Sequence, residues 1–322
     1  MKRRMDMVSL KSFQGCKALT FYSVKDRLKA CAEIRKRETS PYHLILKSQE
    51  KLSFAFPFSN FHLTREGRVY NDLSANRLDK EGKKLTTWKS RTRKVLGSHN
   101  VFEGLNIANT ALNPLEKGQQ VALAVYGDDN LFLRSSFSST QDTLFIGPLP
   151  DDLITRYRGF LPEEERYKEG NCTNYFKDCK IIGSLDFIFG AGRALFTSCD
   201  IISIDDGREE DYVCAPSHSL KDDFGFFFSS CRFLNGGVKK SSVYLARPWR
   251  EYGKCVFSSC TYQDHINPLL FIDWNREGRE KTCRFEEYPL KDGRASFTRN
   301  KKGSLLPKRY EALLNDFLET NA

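Results

Sequence analysis

Two aspartates are the residues of this chain best suited to do chemistry, and one of them, Asp186, sits in an otherwise apolar run. Asp186 lies in GSLDFIFGAGRALF, among Leu185, Phe187, Ile188 and Phe189, and Asp142 lies in TQDTLF. Burying an unpaired charge is expensive, so an acid in such surroundings is normally paired or employed. For Asp186 alone, a hydrogen-bonded structural aspartate is the plainer reading. The placement of both acids in a repeat argues for more.

The repeat has the form Phe-x-x-Cys-x followed by an apolar or aromatic residue. It occurs as FKDCKI from Phe176, FTSCDI from Phe196, FSSCRF from Phe228 and FSSCTY from Phe257, with FLRSSF from Phe132 and FEGLNI from Phe102 as variants. Separations of 20 to 44 residues suit coils of about 20–25 residues carrying insertions. Short apolar runs such as YHLIL, LSFAF, VALAV and LFLRSSF, broken by polar turns without regular helices, are strand signals. A unit that cannot bury its own apolar face and recurs in this way predicts an all-β solenoid, with Phe and Cys stacked along its interior. Asp142 and Asp186 each follow their cysteine place, Ser135 and Cys179, by seven residues. If the segment from Pro148 to Asn171 is ejected as a loop, the two acids occupy one slot on neighbouring turns, about 4.8 Å apart. Asp206 also falls seven past Cys199, but IDDGREED reads as a solvated loop.

Amphipathic helices are predicted at Ser23 to Glu38 and at Pro307 to Glu319, as short N-terminal and C-terminal helices of the solenoid. The chain divides into an N-terminal extension, 1–20, and one domain, 21–322. Of its 322 residues, 51 are Lys or Arg and 41 Asp or Glu, giving a net charge of +10. That excess favours an anionic partner, although solvated lysines account for it nearly as well. No apolar run of signal-peptide or membrane-spanning length follows the basic N-terminus, and the ten cysteines are scattered singly. The expectation is a cytoplasmic, monomeric protein with reduced thiols, acting without nucleic acid or membrane.

Four segments, GQQVALAV, TQDTLF, GSLDFIFG and YLARPW, occur in the same order as four motifs of the pectin methylesterases, and the chain resembles that carbohydrate esterase family. TTWKSRTRKVLG, NIANTA and HINP also look like the family. The resemblance implies a right-handed parallel β-helix that hydrolyses methyl esters of galacturonan or oligogalacturonides. It implies Asp186 as nucleophile, Asp142 as general acid and then base, Gln119 and Gln141 as oxyanion donors, and Arg247 as partner of Asp186. Gln120 is the weaker choice of glutamine. Elementary chemistry agrees. Two close carboxylates cannot both ionise cheaply, and a guanidinium decides which one keeps its charge. Amide side chains suit the oxyanion of acyl transfer. Trp249, Phe145 and Trp274 are candidate sugar-stacking residues, with core packing as the alternative for each.

The chain departs from the family at Ala246, Phe145, Leu270 and Phe271, departures expected to touch substrate fit more than chemistry. No GxSxG elbow exists to support a serine triad, and no histidine or cysteine cluster has zinc spacing, so no metal or cofactor is expected. Rival readings are an acetyl esterase or thioesterase on the same scaffold, a polysaccharide lyase or glycosidase, and a non-catalytic polyanion binder.

Overall fold

The computed structural model describes residues 43–47, 50–51, 54–56, 62–66, 68–111, 118–157, 172–222, 224–275, 278–288, 308, 310–312 and 315. The expected N-terminal extension and the helix at Ser23 to Glu38 lie outside them, as does most of the helix at Pro307 to Glu319. Of that last helix, Lys308, Tyr310, Glu311, Ala312 and Asn315 have helical backbone, and Tyr310 is buried against Phe227 at 5.0 Å between ring centroids.

Among the described residues, nine, eight and seven strands form three sheets. Each sheet takes one strand from every coil and pairs it in parallel with the next coil's strand. The protein is therefore a parallel β-helix, and the Phe-x-x-Cys repeat is the corner between its first two sheets. The first sheet includes Leu131–Leu133, Thr173–Lys177, Arg193–Thr197, Phe226–Ser229 and Lys254–Ser258. In each, the Phe points inward. The residue just before the cysteine place has left-handed backbone: Gly104 (φ 66°), Arg134 (44°), Asp178 (53°), Ser198 (53°), Ser230 (52°) and Ser259 (53°). One such residue turns the chain, and short polar side chains tolerate that region best, which explains the small x before Cys.

Stacking then follows from the repeat. Phe102, Phe132, Phe176, Phe196, Phe228 and Phe257 form a continuous column with centroid spacings of 4.9, 4.7, 4.8, 4.6 and 4.9 Å. Cys179, Cys199, Cys231 and Cys260 are buried thiols. Each donates to the carbonyl of the Phe one coil earlier, at 3.4, 3.4, 3.4 and 3.6 Å. The interior is thus apolar and periodic, and each coil is held in register by its neighbours.

The third sheet carries the aspartates at its entrance. Its strands include Arg93–Val95, Leu123–Val125, Leu144–Ile146, Leu185–Gly190, Asp211–Pro216 and Val243–Ala246. Gly190 ends one of them at φ 123°, where a Cβ would stand 2.0 Å from the Ile146 carbonyl oxygen. Gly190→Ala is therefore expected to destabilise the fold by about 2–5 kcal/mol, through backbone strain plus overpacking. Denaturant unfolding measures it, and a loss below ~1 kcal/mol contradicts it.

Candidate active site

Leu144 pairs with Ile188, so Asp142 and Asp186, two residues earlier along each coil, face one another across neighbouring coils. The Asp142 N–H donates to the Leu185 carbonyl at 3.0 Å. Both aspartates have left-handed backbone, φ 63° and 49°, and both are buried, at 8% and 7% exposure. The pairing of Leu185–Gly190 with Asp211–Pro216 slips between Leu185 and Ile188, a bulge that contains Asp186. Bulges re-aim side chains beside functional sites. Here the bulge lets Phe187 enter the core while Asp186 faces a cleft, so its apolar neighbours no longer set its environment.

The cleft has a volume of about 440 Å³ and is lined by Asp142 and Asp186 together with Gln119, Gln141 and Arg247. All five residues expected to carry chemistry thus converge. Gln119 lies on the coil before Gln141, and the Gln120 N–H donates to the Gln141 carbonyl at 3.0 Å. The Gln120 side chain turns away from the cleft and is fully buried, its Oε1 accepting from Thr140 Oγ1 at 2.5 Å. That separates the two glutamines in the order expected.

Arg247 holds Asp186 with a parallel fork, Nε to Oδ1 at 2.8 Å and Nη2 to Oδ2 at 2.5 Å. Such bidentate pairs are the strong ones, and a fork made only of donors fits an ionised carboxylate. The guanidinium is itself clamped between the rings of Tyr212 (3.9 Å) and Trp274 (3.8 Å). Asp142 is placed in the opposite sense. Burial, reinforced by the neighbouring charge of Asp186, drives its carboxyl well above the usual carboxylate range, against the pull of Arg247, Arg208 and a hydrogen bond from Gln141. One acid is therefore paired with a cation while the other favours its proton.

Aromatic side chains wall the cleft. Trp249 lies 6.1 Å from Phe189 and 6.0 Å from Tyr157, which in turn stands 5.3 Å from Trp88. Trp249 and Trp274 thus line the cleft as expected. Phe145 does not. It is 1% exposed beneath the wall, against Tyr126, Phe189 and Trp88, and its ring serves packing rather than a ligand. The other departures also need correction, because Ala246, Leu270 and Phe271 are buried in the solenoid core rather than exposed to the cleft. They alter packing, not the surface a substrate would meet.

Besides Arg208 and Tyr212, three contributors escaped the sequence reading. Tyr157 follows the short helix Asp151–Arg156, within the segment Pro148 to Asn171 read as ejected, and lines the cleft. Asp206, read as solvated, has a side chain only 1% exposed; it accepts hydrogen bonds from the Ser184 hydroxyl and from Arg208. Asp211, at the start of its strand, is 2% exposed, and burial raises its carboxyl to about 6 despite the pull of Arg208. The acid-rich run around them conceals these roles, since only coil register separates its inward carboxylates from its outward ones.

A family model described as Pectinesterase matches residues 167–303. The chain is 31% identical to pectinesterase QRT1 of Arabidopsis thaliana over 219 residues, covering 66% of this chain and 50% of that protein. It is 29% identical to putative pectinesterase 14 of the same plant over 282 residues, 82% of this chain and 75% of that one. The chain spans about half the length of the first relatives it matches. Among solved structures, pectin methylesterase PemA from Erwinia chrysanthemi superposes with a TM-score of 0.65 at 21% identity, over 93% of this chain and 92% of that one. The carrot pectin methylesterase gives 0.61 at 22% identity, over 85% and 82%.

Proposed function

We infer that the chain is a member of the pectin methylesterase family, which its sequence and fold resemble, and on that premise we propose that it hydrolyses methyl esters of galacturonan chains to methanol and free carboxylates. The observation that carries the reading is the pair of facing aspartates in one cleft, one forked to Arg247 and the other pushed toward its protonated form. Ester hydrolysis through an acyl-enzyme needs such a pair: a carboxylate to attack and an acid to release the alcohol.

In this mechanism an Asp186 oxygen attacks the ester carbonyl, and the carbonyl oxygen becomes an oxyanion facing the amide N–H groups of Gln119 and Gln141. Each well-placed donor is worth about 3 kcal/mol. As the C–O bond breaks, Asp142 gives its proton to the departing methoxide, leaving an anhydride between Asp186 and the substrate carboxyl. Asp142, now a carboxylate, takes a proton from water. The hydroxide attacks the anhydride, and both aspartates return to their starting states. Trp249 and Trp274 offer ring faces to sugars, and Lys84 at the cleft edge offers positive charge to an acidic chain.

The burial of Ala246, Leu270, Phe271 and Phe145 removes the reason for expecting an altered ester group, so methyl galacturonate remains the favoured substrate. Incubation with fully methylated tri- to hexagalacturonates is expected to release methanol without shortening the oligomer and without ultraviolet absorption from an unsaturated product. Chain shortening assigns a glycosidase, and new absorption assigns a lyase.

A further inference from the structure

Arg208 projects from the loop between the strand Asp200–Ile204 and the strand Asp211–Pro216. Its Nη2 donates to Gln141 Oε1 at 3.1 Å, its Nη1 donates to Asp206 Oδ2, and its side chain is 18% exposed. Asp206 is fixed in turn by the Ser184 hydroxyl and by the Arg208 backbone N–H, which donates to its Oδ1 at 3.3 Å. A relay from Ser184 through Asp206 and Arg208 thus ends on an amide beside the two catalytic aspartates.

We propose that Arg208 is a positioning residue for the ester hydrolysis, locking the Gln141 amide so that its N–H groups, and not its oxygen, face the reacting carbonyl. The proposal rests on the reaction proposed above and deepens it. A primary amide has two orientations of almost equal shape, and nothing in its own chemistry selects one. A guanidinium carries donors only, so the atom of Gln141 that faces Arg208 is the oxygen. The nitrogen is then directed to the opposite side, where the Gln141 side chain hydrogen-bonds Asp142. With the amide reversed, an oxygen would confront the developing oxyanion and a donor would become a repulsive dipole. Preorganisation of this kind acts on the transition state more than on substrate binding.

The charge of Arg208 has a second consequence. It faces Asp206, Asp211, Asp186 and Asp142, and lies within electrostatic range of Arg247. It pulls the Asp142 carboxyl down against burial, as Arg247 does, and so keeps its proton transferable to the departing methoxide. Without Arg208, Asp142 holds its proton to higher pH.

The test compares Arg208→Ala and Arg208→Lys in the wild-type and Gln141→Ala backgrounds. Arg208→Ala is expected to lower kcat about 10- to 100-fold with KM within about threefold, a fraction of the loss from deleting an oxyanion donor. In the Gln141→Ala background Arg208→Lys, which keeps the charge beside Asp142, should move kcat less than about threefold, because the amide it would unlock is gone. Arg208→Lys, which keeps the charge and loses the fork, should hold the Asp142 titration midpoint, read by carbon-13 NMR, while kcat stays low; Arg208→Ala should raise that midpoint. The full kcat loss in both backgrounds, or none in either, overturns the proposal. If Arg208→Ala does not fold, Arg208→Lys carries the same two-background comparison. Nitrogen-15 relaxation of the Gln141 side-chain amide needs no substrate. Loosening on Arg208→Lys supports the lock and an unchanged amide overturns it, even if the wild-type enzyme releases no methanol and the proposed reaction itself fails.

Discussion

Asp186→Asn is expected to fold and to lose methanol release by about 10³-fold or more, the scale on which enzymes lose a covalent nucleophile. An amide oxygen can still accept one of the two hydrogen bonds from Arg247, and the guanidinium stays between Tyr212 and Trp274, so the cleft keeps its shape. The structural cost is one charge-assisted hydrogen bond in a partly buried place, about 1–3 kcal/mol, visible as a lowered melting temperature. A second readout separates chemistry from collapse. The charge of Asp186 is the second cause, after burial, of the raised Asp142 carboxyl, so its neutralisation should lower the Asp142 midpoint. A variant that loses activity while that midpoint falls has lost its nucleophile with its neighbour intact. Activity within tenfold of wild type would move the attacking group to Asp142 or to water.

The β-helix was legible because its interior is periodic. Phe176, Phe196, Phe228 and Phe257 recur with their cysteines since each coil repeats the same corner, and the left-handed residue before each cysteine leaves a visible preference for Asp and Ser. Asp142 and Asp186 were legible for the same reason, being equally spaced from that corner. Arg208 and Asp206 were not, because the loop holding them joins the second and third sheets within one coil at a length the repeat does not constrain, and a run of charges reads as solvated unless register shows which members turn inward. Phe145 failed in the opposite direction. Strand alternation places it beside residues that line the cleft, yet Trp88 and Phe189 cover it, and coverage across coils cannot be read from one strand. The departures at Ala246, Leu270 and Phe271 were misjudged on similar grounds, since motif neighbours of Arg247 and Trp274 need not share their exposure.

Asp142→Asn is expected to show the converse of a simple loss: an enzyme about 10³-fold slower and, near neutral pH, more stable. The activity loss follows from its two duties, since an amide neither protonates methoxide nor deprotonates water. The stability gain follows from linkage. The folded carboxyl sits well above its ordinary value of 3.8, so the folded state binds the proton more tightly than the unfolded chain. Its contribution is therefore fully present below pH 3.8 and is lost progressively as pH rises from there through the raised folded value. Asparagine is neutral throughout and escapes that loss, so the difference in stability should open with rising pH, to about 1–2 kcal/mol, the range gained by relieving an active-site strain. Wild-type kcat/KM should fall across the upper part of the same window, as free Asp142 loses the proton that the first step requires. Melting temperatures of both proteins measured across that range, together with the wild-type pH–rate profile, check the two halves at once. A difference that narrows with rising pH would mean that Asp142 is held as a carboxylate, and the acid in the reaction would then have to be another group.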